Sequence, residues 1–285
     1  MKRPGPTTTA MVWKVRGARP SQESDQLAAE EPMEIRVESG PKEQRETTSL
    51  SVTMRTPGHD FELAAGFLFT EGIVARKGDI ARIEYCTDPG VTQEYNIVSA
   101  VLRPTVDFRA DQLARHFYMT SSCGVCGKTA LEAVRVAVRH PIPPDAPALD
   151  PKTIAAIPER LRKDQALFSE TGGLHAAGLF DASGQLSSLR EDVGRHNAVD
   201  KVVGEAFLSG RTPLAGTVLA VSGRSSFEIL QKAAVAGIPF VIAVGAPSSL
   251  AVAIAEEFGM TLVGFARGDR FNIYAGAERI VKLAR

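Results

Sequence analysis

Residues 217–265 read TVLAVSGRSSFEILQKAAVAGIPFVIAVGAPSSLAVAIAEEFGMTLVGF. Three short apolar runs, at 217–221, 240–244 and 261–265, have no polar face, the pattern of strands covered on both sides. Between them, residues 226–236 and 248–258 show helical spacing and open on serines suited to capping. Alternation of this kind specifies a parallel or mixed sheet with helices packed on it.

Working outward, residues 197–208 read as another helix, and 174–180 and 186–190 as strands around the turn signal Asp181-Ala-Ser-Gly184. Residues 151–167 read as a helix interrupted at Pro158, because proline lacks the N–H that a helix interior uses. Before it, Pro141-Ile-Pro-Pro-Asp-Ala-Pro147 excludes both helix and central strand and marks a junction. Upstream, alternation at 33–38 and 50–55 predicts a hairpin, 61–71 a buried helix, 80–86 and 95–102 two strands, and 111–118 a short helix. Cys86, at the end of one of these strands, is expected to be a small core residue. The first 30 residues mix Pro, Gly, Ser and charge with little periodicity and are expected to form a mobile tail. The chain thus divides into a tail (1–30), an α+β region (31–140), a connector with a helix (141–168) and an α/β region (169–285). The fold class is α/β, a mixed sheet with helices on both faces preceded by a smaller α+β region; no internal repeat is evident.

A chain of 285 residues with 44% hydrophobic content can bury a real core. Its 33 basic and 33 acidic side chains cancel, which disfavours general nucleic-acid binding and leaves any anion site local. No apolar run reaches the ~20 residues that span a bilayer, and no signal-peptide core opens the chain, so a cytoplasmic protein without membrane attachment is expected. Three cysteines are too few and too odd for a secreted disulfide framework.

Two of the three stand in Thr120-Ser-Ser-Cys123-Gly-Val-Cys126-Gly-Lys128. A CxxC pair can close a disulfide, hold a soft metal, or present one nucleophilic thiolate with the other assisting. Residues 129–139 read as a helix, so its N-terminus and Lys128 both favour the thiolate. A structural zinc site wants four ligands, and Cys86 is the only spare thiol. The zinc deaminase pattern also fails, since no histidine is followed two positions later by Glu, and Ser122 stands where proline is required. A thioredoxin-type setting fails too, with Trp13 far from the pair.

Anion chemistry has three candidate segments. Ser222-Gly223-Arg224-Ser225 and Gly245-Ala-Pro-Ser248 each leave a strand and open a helix, where free N–H groups can receive phosphate. Phe265-Ala266-Arg267-Gly268-Asp269-Arg270 offers two guanidiniums for bidentate phosphate contact and a carboxylate for a guanine-type edge. The segments around His175 and His196 are dense in glycine and carboxylate and suggest a shared pocket, with the role of either histidine open.

Five segments in order, TSSCGVCGK (120–128), ETGGLH (170–175), EDVGRHNAVDK (191–201), SGRSSFEILQKA (222–233) and FARGDRFNIY (265–274), resemble the formate dehydrogenase accessory sulfurtransferase family, FdhD. The resemblance covers residues 33–285. It implies a cytidine deaminase-like core without zinc, a homodimer, and a sulfurtransferase that takes sulfur from a cysteine desulfurase as a persulfide. The acceptor it implies is the molybdenum bis(molybdopterin guanine dinucleotide) cofactor required by formate dehydrogenase. Cys123 is then the persulfide carrier and Cys126 the assisting thiol. Residues 265–270 belong to the cofactor-binding segment, and the guanine nucleotide arms give the 222–225 loop a ligand. The alternative is a redox-switched cofactor-delivery module in which the pair only cycles between dithiol and disulfide.

Overall fold

The computed structural model of the protein describes residues 3–86, 92–108, 134–135 and 137–281. The helix expected at 111–118, the CxxC loop with Cys123 and Cys126, and the first part of the helix at 129–139 lie outside these residues. Val134, Arg135 and Ala137 are helical.

Strands β1 (Thr7–Arg16) and β2 (Arg19–Ala28) form an antiparallel hairpin within the segment expected to be a mobile tail of little periodicity. Met11, Trp13 and Val15 do alternate, but their partners on β2 are Ser24, Gln22 and Pro20. That polar strand masks the pattern. Strands β3 (Glu31–Ser39) and β4 (Glu46–Arg55) form the expected hairpin, and β5 (Ile80–Tyr85) and β6 (Ile97–Leu102) complete a four-stranded sheet in the order β4-β3-β6-β5. Helix α1 (Asp60–Thr70) covers this sheet, packing Leu63 and Ala64 on Met33, Ile35 and Val98. Cys86 is half-buried rather than in the core, because β5 ends at Tyr85 and leaves it beside the Arg36 guanidinium, 3.9 Å from its sulfur.

Helix α2 (Pro151–Lys163) runs unbroken through Pro158, contrary to expectation. Asp150 caps its start, accepting from the N–H groups of Lys152 and Thr153 at 2.9 and 3.2 Å. Ile154, Ile157 and Leu161 lock its apolar face into the core, which outweighs the backbone bond that proline forfeits. Helix α3 (Ala166–Thr171) follows.

The remaining elements are β7 (His175–Phe180), β8 (Leu186–Asp192), α4 (Arg195–Leu208), β9 (Val218–Val221), α5 (Phe227–Val235), β10 (Phe240–Ala243), α6 (Ser249–Glu257), β11 (Thr261–Arg267) and β12 (Arg270–Ala275). Their strands form a six-stranded sheet in the order β12-β11-β10-β9-β7-β8. The three central strands β9, β10 and β11 are parallel and the flanking pairings antiparallel, so the mixed α/β sheet is as expected. Period-two alternation explains the apolar runs. Val218, Ala220, Phe240 and Ile242 face α2, whereas Leu219, Val221, Val241 and Ala243 face the layer of α4, α5 and α6.

One continuous core joins Val37, Leu68 and Ala100 of the N-terminal half to Val199, Val203 and Leu219 of the C-terminal half, across the 141–168 connector. The joint is the packing of α1 on α4. A side-chain carbon on Gly66 would overlap the carbonyl oxygen of Asp200, and one on Gly204 would overlap that of Glu62. The helices therefore meet backbone to backbone. Arg190 of β8 adds a second tie, donating from Nη2 to Glu62 Oε1 of α1 at 2.9 Å.

Gly204→Ala is expected to destabilise the fold by ~2 kcal/mol or more, since neither helix can move without disturbing the core. Gly216→Ala, where nothing lies within 4 Å, serves as the neutral control, both read by thermal denaturation. Burial alone would raise the Glu62 carboxyl, but hydrogen bonds from His59 and Arg190 hold it at about 2 against an ordinary 4.5. A depressed carboxyl stabilises the fold above its unfolded value and loses that contribution as pH falls. Stability should therefore decline between pH 4.5 and about 2. Arg190→Gln should flatten that part of the stability–pH curve.

Candidate functional site

The carboxyl ends of β9, β10 and β11 lie side by side, and the loops leaving them are bonded into one ledge. Gly245 N–H donates to Gly223 O at 2.9 Å, Ser248 N–H to Ser225 O at 3.0 Å and Phe265 N–H to Gly245 O at 3.1 Å. Because β7 is antiparallel to β9, its first residue, His175, arrives at this same edge. Ser222 fixes it there, donating its N–H to Ala176 O at 3.0 Å and accepting from Ala176 N–H through Oγ at 2.9 Å. Gly223 packs closely on His175: an added side-chain carbon there would stand 3.3 Å from His175 Nδ1, so the ring would have to shift.

The start of α4 joins the ledge. Asp192, fully buried, accepts from Thr56 N–H at 3.1 Å, Gly194 N–H at 2.8 Å and Asn197 Nδ2 at 3.0 Å, and pairs with Lys201 at 2.7 Å. This clamp fixes Arg195 and His196 at the first turn of α4. The Arg195 side chain reaches Gly223, and its Nε is buried without a partner. Ser225, fully buried, likewise holds a hydroxyl without a partner. Burial, with the Arg195 and His196 charges nearby, pushes His175 below the ordinary histidine range and favours its neutral form.

The structure thus brings Ser222, Gly223, Arg224 and Ser225 together with Phe265, through the Gly245–Ser248 loop. Phe265 is about half exposed, with a left-handed φ of 52°. Ala266 is buried behind it, packed with Val263 and Ile273 on the α2 face of the sheet. Arg267, Gly268, Asp269 and Arg270 form the exposed β11–β12 turn, with Gly268 at φ 60°. The starts of α4 and α5 without a side-chain cap, the free Ser225 hydroxyl and the uncommitted guanidiniums suit an anionic, phosphate-bearing ligand.

The family model of the FdhD/NarQ family matches residues 28–281. The chain belongs to the FdhD/NarQ family. Proteins named "Sulfur carrier protein FdhD" are similar over most of their length. That of Streptomyces coelicolor is 50% identical over 277 residues, 96% of this chain and 95% of the relative. That of Mycolicibacterium paratuberculosis is 52% identical over 266 residues, 89% and 91% of the two chains. A crystal structure from Desulfotalea psychrophila, described as a formate dehydrogenase accessory protein, superposes with a TM-score of 0.72 at 25% identity, covering 96% of this chain and 99% of that one.

For this FdhD/NarQ member the sequence motifs left Arg195, Glu228 and Lys232 without a role. Glu228 in a first helical turn reads as an ordinary dipole-matching acid, and Arg195 as a solvated side chain. Only the fold shows that Arg195 turns toward Gly223 and that Glu228 meets His196, Nδ1 to Oε2 at 2.8 Å. Behind His196 lies a cavity of about 230 Å³ between β4, α1, α4 and α5, lined in part by Thr53, Glu71, Asp200, Glu228 and Lys232. Lys232 pairs with Asp200 and Glu71, each at 3.0 Å. Burial alone would lower its ammonium pKa, but the two carboxylates win and raise it; burial raises that of Asp200.

Lys232→Met leaves two carboxylates facing each other without a cation. It should cost ~3–5 kcal/mol, read as a lowered denaturant midpoint at neutral pH. The accompanying substitution Asp200→Asn should restore part of the loss.

Proposed function

We propose that this chain is a sulfur carrier serving formate dehydrogenase maturation. The observation that carries the reading is the family match across residues 28–281, a span that includes Cys123 and Cys126, together with relatives about 50% identical that bear the sulfur-carrier name. In this reading the Cys123 thiolate attacks the outer sulfur of a cysteine desulfurase persulfide. The donor S–S bond breaks, a new S–S bond forms on Cys123, and the donor departs as a thiolate. When the outer sulfur is passed on, the acceptor supplies the electron pair for its new bond to that sulfur, the S–S bond breaks and Cys123 leaves in turn as a thiolate, with Cys126 assisting.

The acceptor substrate in this proposal is the molybdenum bis(molybdopterin guanine dinucleotide) cofactor. The ledge of residues 222–225, with Phe265, Arg267 and Arg270 beyond it, is where its nucleotide arms are proposed to sit. Arg195 and His175 join the predicted residues. The buried, partnerless Arg195 Nε and Ser225 Oγ support this placement, because each leaves a donor that a phosphate oxygen can satisfy. The reading includes a homodimer acting in the cytoplasm and needs no protein-bound metal.

Loading the protein with a desulfurase and cysteine, followed by peptide mass spectrometry, should find one added sulfur on Cys123. Cys123→Ala should abolish loading and formate dehydrogenase activation, with Cys126→Ala milder. A Cys123–Cys126 disulfide with no persulfide would instead indicate the redox-switched delivery module. Arg195→Gln and Arg224→Gln should each weaken binding of a guanine dinucleotide about tenfold while leaving sulfur loading intact, as expected for ~1–2 kcal/mol per charge-assisted bond.

A further inference from the structure

The loops after β9 and β10 have the same form, yet their N-cap serines do different things. Ser248 Oγ caps α6, accepting from Ala251 N–H at 3.2 Å. Ser226, in the same position before α5, makes no capping bond. Its hydroxyl instead lies 3.1 Å from His196 Nε2, and His196 Nδ1 lies 2.8 Å from Glu228 Oε2. An N-cap serine ordinarily contributes ~1 kcal/mol by capping, so the diversion gives up local helix stability. It also leaves the first-turn N–H groups of α5 without a side-chain acceptor.

The chemistry of this arrangement follows from the ring. With Glu228 accepting from Nδ1–H, neutral His196 carries its lone pair on Nε2, and the Ser226 hydroxyl donates to it. The imidazole hydrogen bond, outweighing burial, holds the Glu228 carboxyl below its ordinary value, so the acceptor stays charged. Carboxylate, imidazole and hydroxyl thus stand in the order of a Ser–His–acid relay, assembled here from two helix starts. One diversion supplies both an activated oxygen and unclaimed N–H donors beside it.

We propose that Ser226 is a nucleophilic serine, deprotonated by His196 with Glu228 as the positioning residue, and that it reacts with the carbonyl of an ester or thioester. Ser226 Oγ forms the new C–O bond as its proton passes to His196 Nε2. The N–H groups of Phe227 and Glu228 receive the negative oxygen. His196 then returns the proton to the leaving alcohol or thiol as its bond to the acyl carbon breaks. Water, deprotonated by the same imidazole, releases the acid and restores Ser226, with no change of oxidation state. Arg195 beside Gly223 favours a substrate with an anionic group, to which neutral His175 can donate a hydrogen bond. The activity is separate from sulfur transfer, since no step uses Cys123 or a persulfide.

His196 faces Glu228 from α5, Arg195 from its own helix and His175 from β7, with Glu71, Asp200 and Lys232 on the walls of the adjoining cavity. The test treats the full-length protein with a fluorophosphonate probe and maps the adduct by mass spectrometry. Labelling of Ser226 and not Ser248 is expected. The labelling rate should fall about a hundredfold in His196→Gln. Glu228→Gln should slow it about tenfold, and Glu228→Asp should recover part of the rate. Hydrolysis of p-nitrophenyl acetate should disappear in Ser226→Ala. No adduct on Ser226, equal labelling of Ser226 and Ser248, or an unchanged rate in His196→Gln would each overturn the proposal. The comparison of Ser226 with Ser248 is made within the wild-type chain and does not depend on any variant folding.

Discussion

Helices α1 and α4 can touch backbone to backbone only because Gly66 and Gly204 carry no side chain, and much of the molecule hangs on that contact. It brings the four-stranded sheet and its covering helix against the helical layer of the six-stranded sheet, so that one core crosses both halves. It also sets the depth of α4, and with it the place of Arg195 and His196. A glycine–glycine approach is short-ranged and stiff, since a methylene on either side has nowhere to go.

Around this joint the protein buries charge in compensated groups. Lys201 with Asp192, Lys232 with Asp200 and Glu71, and Arg55 with Asp60 each place a cation against carboxylates at 2.7–3.1 Å. Such groups add little net stability, because desolvation offsets most of their attraction, but they penalise any packing that separates the partners. Their effect here is positional. Asp192 ties the loop after β4 to the first turn of α4, and Lys232 ties α5 to the end of α1. The ledge is thus built on elements that cannot shift independently.

Much of the chain was legible from local pattern. The apolar runs at 217–221, 240–244 and 261–265 fall on β9, β10 and β11 because both faces of those strands are covered, and the serines at 226 and 248 fall at N-cap positions. The pattern misled where tertiary packing outvoted it. Pro158 lies inside α2 because its neighbours Ile157 and Leu161 are buried against the sheet, and β1–β2 formed where one strand is polar. The ledge was legible in part. Glycine and hydroxyl residues after a strand announce a turn and a helix start, whereas Arg195 and Glu228 are ordinary surface types whose roles depend on what lies across from them.

The sequence by itself determined the strand–helix alternation, the candidate residues of the 222–225 and 265–270 segments, and the family to which the chain belongs, because periodicity, capping and motif order are local properties written residue by residue. Tertiary structure alone decided that β7 runs antiparallel to β9 and so delivers His175 to the ledge, and that α1 and α4 close to glycine contact. It also decided that Ser226 turns to His196 while Ser248 caps its helix. The physical reason is that two loops of one local form have different neighbours, and a hydroxyl bonds to whatever strong partner the fold places within reach.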